Sequence, residues 1–353
     1  MSARIDMGDV EVVAPNLKRR LSGVTSTVIQ LVPEQRRQGV GIAVLGPGLP
    51  DDLPRISWFQ LPGLLVRPRR RRFRIWHARR NTEMLAGLVL RHVFRAPLRL
   101  VFTSAAQRHH TGYTRWLMRR MDRIVTTSSR SAAFLQLPHV IIPHGVDLDR
   151  FHPPSDAERD WSTSGLPGRY GLGCFGRIRA QKGTDLLVDA LISLLPRYPE
   201  WTAAIFGRTT AHNQGFTDAL KARIEASGLS SRIVFMGEVA DVKPWLRRVT
   251  LCVAPSRNEG FGLTPLEAMA SQTAVVASDA GAYRDLVEDD VTGQVVPAGD
   301  GDALTQAIET YLADPGRAEA HGRAGLERAR SRFGLAGEAR ALSEVYEELW
   351  AQR

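Results

Sequence analysis

From Tyr170 onward, short apolar runs rich in β-branched residues alternate with stretches whose apolar positions recur at helical spacing. The pattern predicts strands at 170–178, 201–206, 233–236, 251–255 and 274–278, separated by helices at 184–198, 216–227, 242–248 and from Pro265 onward. Such alternation implies βαβ crossovers and a parallel sheet covered on both faces. The first half repeats the rhythm less regularly, with strands expected at 10–13, 40–45, 74–77, 99–103, 123–127 and 140–142 and helices at 24–36, 82–94, 113–121 and 131–135. Two doubly wound domains in tandem fit both the pattern and the length of 353 residues. The stretch that opens with Phe151-His-Pro-Pro-Ser-Asp156 and runs to Gly168 shows no period, and the junction is expected there.

Charge sharpens this division. The net charge is +10, but residues 1–150 carry 25 Lys plus Arg against 10 Asp plus Glu, and the remainder is mildly acidic. A basic first half points to an anionic partner there: nucleic acid, a phospholipid surface or an acidic substrate. Its densest run is Arg67-Pro-Arg-Arg-Arg-Arg-Phe-Arg74, which reads equally as a solvated loop. Cys174 and Cys252 sit inside apolar runs without a CxxC or His-rich neighbourhood, which sets aside disulfide and zinc readings and fits a reducing compartment. The N-terminus lacks an apolar h-region and no run reaches the ~18–20 apolar residues of a spanning helix. The expectation is a cytoplasmic protein.

The most informative segment is Val253-Ala-Pro-Ser-Arg-Asn-Glu-Gly-Phe-Gly-Leu-Thr-Pro-Leu-Glu267. A strand ends, a loop with Gly260 and Gly262 follows, and a helix opens with Thr264 at the N-cap, Pro265 at N1 and Glu267 at N3. Ligands bind at the C-terminal ends of parallel strands, and a helix start suits a diphosphate. Glu259 and Glu267 flank this surface as hydroxyl acceptors, although Glu267 also fits a capping box. A second candidate is Cys174-Phe-Gly-Arg-Ile-Arg-Ala-Gln-Lys-Gly183, where Arg177 and Lys182 bracket a loop after a strand and can grip phosphate as a planar fork and a point charge. It lacks the GxxxxGK[ST] pattern of a P-loop. The sequence shows no plausible cluster of metal ligands.

These loops, with Ile142-Pro-His-Gly-Val-Asp147 leading to Phe151 and Pro153, resemble the retaining glycosyltransferases of the family-4 type, whose signature of two glutamates separated by seven residues is matched by Glu259 and Glu267. The resemblance spans the second half and reaches back to about Arg120. It implies an α/β fold of the GT-B type: two doubly wound Rossmann-like domains facing a central cleft. Residues 1–165 would bind the acceptor and 166–335 the nucleotide sugar, with a C-terminal helix at 336–353 packing back on the first domain. It further implies that Arg177 and Lys182 hold the donor diphosphate and that Glu259 contacts the sugar. Gly260, Phe261, Gly262, Leu263 and Thr264 would offer backbone N–H groups, and Glu267 would bind the ribose. Val239 and Asp241, in Gly237-Glu-Val-Ala-Asp-Val-Lys243, become candidates for the base. Ser22-Gly23-Val24 resembles the family's phosphate-approaching glycine loop, but with Gly23 alone where two adjacent glycines are usual.

Within the family, Ile75-Trp-His-Ala-Arg-Arg-Asn81 and Leu100-Val-Phe-Thr-Ser-Ala-Ala-Gln-Arg-His-His-Thr111 resemble the lipopolysaccharide-core mannosyltransferases of rhizobia. That likeness implies transfer of mannose from GDP-mannose to an inner-core Kdo sugar. His77, Arg79, Arg80, His109 and His110 are acceptor-side candidates. The place where the broader family often carries a donor-contacting histidine holds Ser104. The implied mechanism is metal-independent and needs no cofactor beyond the donor. Its partners are a lipid-linked acidic glycan and the anionic inner leaflet, reached peripherally through the basic domain. A soluble α-glucan or sucrose-type transferase would share the donor loops without needing the Arg67–Arg74 run. A non-catalytic nucleic-acid binder would explain the charge but not the second domain, and the basic runs lack the interleaved aromatics that single strands require.

Overall fold

The structure, a computed structural model, describes residues 5–18 and 23–352. It divides into two compact units, one running to Gly145 and resuming at Leu335, the other spanning Val146–Gly334. The first unit contains β1 (Val12–Pro15), α1 (Gly23–Arg37), β2 (Ile42–Leu45), β3 (Arg55–Ile56), β4 (Arg74–Ala78), α2 (Asn81–His92), β5 (Leu98–Ser104), α3 (Gly112–Met118), β6 (Arg123–Thr126), α4 (Ser129–Ala133) and β7 (Val140–Ile141). The strands form a seven-stranded sheet in the order β3-β2-β1-β4-β5-β6-β7, parallel throughout. β1, β2 and β4 are buried at every position, as strands covered on both faces must be.

The second unit contains α5 (Asp156–Arg159), β8 (Tyr170–Phe175), α6 (Thr184–Leu194), β9 (Trp201–Phe206), α7 (Gln214–Ala226), β10 (Ile233–Gly237), α8 (Lys243–Arg248), β11 (Leu251–Ala254), α9 (Thr264–Ala270), β12 (Ala274–Ser278), α10 (Tyr283–Leu286), β13 (Gly293–Val296), α11 (Gly301–Ala313) and α12 (Pro315–Arg332). Its parallel sheet runs β10-β9-β8-β11-β12-β13, so the strand order reverses between β8 and β11. The crevice outside the carboxyl ends at such a reversal is where open α/β sheets bind ligands.

The junction falls at Gly145/Val146 rather than at 165/166. Residues 146–165 lack a period because isolated apolar anchors hold them. Val146 and Phe151 enter a cluster with Leu246, Leu266 and Phe333, and Trp161 packs with Phe206 and Val249. The chain then returns to the first unit as α13 (Leu335–Ala351). Leu335, Ala339, Leu342, Val345, Tyr346 and Leu349 line one face of this helix and share a core with Val28, Leu31 and Val32 of α1 and with Ile75 and Val101 of the sheet. Each buried leucine there contributes roughly 1.5–3 kcal/mol.

Half of the six arginines in the run have partners within the first unit. Arg74 is buried and donates to the carbonyls of Val10 (2.9 Å), Met7 (2.5 Å) and Val66. Arg71 pairs with Glu11 and Glu347 and lies 4.0 Å over the Trp350 ring, while Arg69 pairs with Asp6 and Asp9. Arg67, Arg70 and Arg72 are exposed and have no acidic partner among the described residues. They follow Trp58, Phe59, Leu65 and Val66, apolar residues that also face solvent, Phe59 at 97%. No helix among the described residues is long and apolar enough to cross a membrane.

Candidate active site

In the second unit, the loops leaving β8 and β11 meet at the reversal point. Gly183, at φ +70°, sits so close to Pro255 that an added Cβ would lie 1.9 Å from its carbonyl oxygen. Only glycine suits both that backbone and that approach. Arg257 fastens the two loops: its N–H donates to Gln181 O (2.9 Å), and its guanidinium donates to Ala180 O (2.6 Å) and to both Asp185 oxygens (2.7 and 2.8 Å). Burial opposes ionisation of Asp185, but the bonds from Arg257 prevail and hold its carboxyl below the usual range. The sequence reading passed over this pair. Its signal was one charge in each loop, too common a feature to single out.

The clasp brings Lys182 to Glu259. The Lys182 ammonium donates to Glu259 Oε2, while Glu259 Oε1 accepts the N–H of Gly260 at 3.0 Å. Arg177 stands exposed in the same loop with no acidic partner among the described residues. Lys182 and Glu259 are each about one-fifth exposed, so they are reachable from solvent. Gly262, at φ +84°, lets the loop pass Tyr283 and Glu259, since a Cβ there would lie 2.3 Å from the tyrosine ring. Burial, and then the charge of Glu259, push the Tyr283 phenol far above its ordinary pKa and keep it protonated. Phe261 points into the core at 5% exposure, and its carbonyl accepts the N–H of Ala282 at 2.9 Å.

The start of α9 departs from expectation. Leu263, not Thr264, is the N-cap, and its dihedrals (φ −73°, ψ −24°) are already helical, so no side chain caps the helix. Thr264 and Pro265 therefore move to N1 and N2, and Glu267 lies one position beyond N3, with its N–H bonded to Leu263 O at 2.9 Å. The capping box is absent, and the Glu267 carboxylate has no hydrogen-bond partner among the described residues. Burial pushes its pKa up to about 7, against the opposing charges of Lys243 and Arg150. The N–H groups of Gly262, Leu263 and Thr264 likewise lack an acceptor among the described residues. An unpaired carboxyl, unpaired amides and two flanking cations that sequence reasoning left out make a surface equipped for hydroxyl and anionic oxygen ligands.

Beyond β10, Val239 is half-buried against the aromatic cluster of Trp161, Phe206 and Trp245, whereas Asp241 is exposed and ion-paired with Lys243 at 2.8 Å. In the first unit, Gly23 opens α1 and is exposed, while Ser22 lies outside the described residues. His77 is not an acceptor-side group. It is fully buried, Nδ1 lies 2.6 Å from the Tyr346 hydroxyl and Nε2 lies 2.6 Å from Thr103 Oγ1, so both ring nitrogens are occupied. Burial, then the charge of Arg79, hold it neutral. Arg79 is half-buried and bonds back to His77 O at 3.2 Å, and Arg80 pairs with Glu83. His144, in the Ile142–Asp147 phrase, bonds Glu338 at 2.8 Å and so ties that loop to α13. His109 is exposed with its ring edge-on to Phe134 at 5.2 Å, and half-buried His110 lies 3.4 Å from Ser104 Oγ. Among the described residues no three His, Cys, Asp or Glu side chains converge as a metal-binding group.

A family model described as "Glycosyl transferases group 1" matches residues 169–314. The chain is 61% identical over 344 residues to the lipopolysaccharide core biosynthesis mannosyltransferase LpcC of Rhizobium leguminosarum bv. viciae, covering 98% of each. It is 50% identical over 348 residues to the lipopolysaccharide core biosynthesis mannosyltransferase LpsB of Rhizobium meliloti (strain 1021), covering 98% of this chain and 99% of the relative. Among solved structures, Anabaena HepE in complex with UDP matches with a TM-score of 0.82 at 20% identity, over 96% of this chain and 100% of that one. At that identity the likeness shows the fold, which is the expected GT-B pair of Rossmann-like units.

Proposed function

The chain belongs to the group 1 glycosyl transferases, and from that membership we propose that it moves mannose from GDP-mannose, with retention, onto the Kdo of a lipopolysaccharide core. The non-catalytic nucleic-acid reading falls with the membership. The observation that carries the proposal is the near full-length identity to LpcC, joined to a second unit whose Arg177, Lys182, Glu259 and Glu267 gather at the strand-order reversal.

In this reading, the Lys182–Glu259 pair is a resting arrangement. An incoming diphosphate competes for Lys182 and Arg177, which releases the Glu259 carboxylate to accept sugar hydroxyls. Glu267 accepts from the ribose, and the N–H groups of Gly262 to Thr264 meet anionic oxygens. In transfer, the bond from the anomeric carbon to the leaving phosphate oxygen breaks and a bond to the acceptor oxygen forms on the same face. The acceptor proton passes to the departing diphosphate. Arg177 and Lys182 stabilise the charge developing on that diphosphate, a role worth about 10²–10³ in rate for a single well-placed donor. Because side chains supply this charge, EDTA is expected to leave the rate unchanged.

The exposed Trp58, Phe59, Leu65 and Val66, followed by Arg67, Arg70 and Arg72, support docking of the first unit on an anionic leaflet at the cytoplasmic face. The direct test offers a panel of nucleotide sugars to the pure protein, with and without Kdo-containing lipid A, and identifies the product and its anomeric configuration. Mannosylated lipid with retained configuration is expected from GDP-mannose alone. Turnover of UDP-glucose but not GDP-mannose would overturn the mannosyl assignment and leave the family unaffected.

A further inference from the structure

With His77 removed from the acceptor side, the remaining candidates, His109 and His110, lead to a pocket of their own. It lies among the loop leaving β5, helix α3 and the segment leaving α4, and it is lined by His109, His110, Arg115, Arg119, Phe134 and Gln136, among others. No Asp or Glu lines it. The sequence makes acids scarce around it, since Asp122 is the one acidic residue between Glu83 and Asp147. That carboxylate is already occupied by Arg91 (2.6 Å), Arg99 (2.9 Å) and the N–H of Leu100 (2.7 Å). Arg115 and Arg119 are exposed, and neither guanidinium has an acidic partner among the described residues. Burial, then the charges of Arg108 and Arg115, hold His110 below its ordinary pKa, as expected where positive charge is uncompensated.

We infer that this pocket binds the oxyanion group of the acceptor, a carboxylate or phosphate monoester, with Arg115 and Arg119 as the groups that select for it. The inference rests on the acceptor reading proposed above. Size permits it: the cavity of about 70 Å³ exceeds the roughly 10–15 Å³ that a single water needs, so a carboxylate or phosphoryl group can enter. Guanidinium chemistry supports it too, because the planar fork matches both oxyanions with two parallel N–H donors. The edge-on contact with Phe134 places His109 at the rim, where its ring nitrogens can hydrogen-bond a neighbouring hydroxyl.

The test uses the full chain with Arg115→Gln, Arg119→Gln and the double substitution. Kinetics are measured with GDP-mannose and Kdo-bearing lipid A in three forms: intact, with the Kdo carboxylate amidated, and with the lipid A phosphates removed. The double variant is expected to raise the acceptor KM about 10- to 100-fold, with donor KM and donor hydrolysis unchanged. Wild-type protein should lose a similar factor on whichever altered acceptor lacks the recognised group, and the double variant should lose no more on that acceptor. An acceptor KM within twofold of wild type in the double variant overturns the inference. If wild-type protein mannosylates no Kdo lipid at all, the acceptor reading has failed. The pocket is then judged by NMR titration of the His109 and His110 ring protons with inorganic phosphate and with acetate. Saturation that the double variant loses sustains an oxyanion site, and its absence with both probes overturns it.

Discussion

Glu267→Gln tests the site through stability before any substrate is added. The wild-type carboxyl titrates near 7 instead of its ordinary 4.5 because burial disfavours the charged form. Between those pH values the folded protein holds a proton that the unfolded chain has released, so wild-type stability falls as pH rises through this window. At about 1.4 kcal/mol per pKa unit, the deficit is complete above pH 7 at about 3 kcal/mol. The amide cannot ionise. Relative to wild type, the variant should therefore gain up to about 3 kcal/mol between pH 4.5 and pH 8. Urea unfolding of both proteins at several pH values, followed by fluorescence, reads this difference and cancels titrations they share. On the proposed ribose contact, the same substitution should also weaken GDP binding about tenfold or more. A stability difference that stays flat across the window would refute the reasoning, as would a variant less stable than wild type at pH 8. A carboxyl that lowers stability at neutral pH while improving ligand affinity has a function as its reason for being there.

Under the proposed mechanism, Lys182→Met should lower kcat about 100- to 1000-fold with little change in melting temperature, measured as GDP release, by removing a charge assigned to the leaving diphosphate. Tyr346→Phe should cost about 1–3 kcal/mol in denaturant unfolding by leaving buried His77 Nδ1 unpaired, with donor KM unchanged. Gly262→Ala places a methyl against the Tyr283 ring in a left-handed backbone, and a loss of about 1–3 kcal/mol is expected; an unchanged denaturation midpoint would count against the loop geometry. Replacing Arg67, Arg70 and Arg72 with Gln should weaken binding to anionic vesicles by about 1 kcal/mol per arginine in co-sedimentation. Arg74→Gln should lower stability instead.

Most of the parallel-strand rhythm was legible because fully buried strands write themselves as short β-branched runs. β3 and β13 were not, being two and four residues long with little pattern to display. The loops that meet at the ends of β8 and β11 were legible from glycines at strand ends, but the exact helix start was not. Thr264-Pro265-Leu266-Glu267 has the composition of a capping box, yet Leu263 is already helical, a backbone fact that composition does not encode. Ion pairing between distant segments was similarly hidden. Nothing local in Arg69, Arg71 or Arg74 distinguishes a guanidinium that meets Asp6, Glu347 or the Val10 carbonyl from its neighbours at Arg70 and Arg72. His77 looked like a site residue for the same reason, because its partner Tyr346 is 269 positions away.

The return of α13 to the first unit has a consequence for biosynthesis. At about 5–20 residues per second, a ribosome needs roughly 10–40 s to make the stretch Val146–Gly334 that separates the two parts of the first unit. During that interval the emerging sheet β3-β2-β1-β4-β5-β6-β7 lacks the face supplied by Leu335, Leu342, Tyr346 and Leu349, and His77 waits without its hydroxyl partner. The second unit, contiguous in sequence, can close first. The half of the molecule translated earliest is thus the half completed last, and its uncovered apolar face makes it the part of the nascent chain most in need of a chaperone.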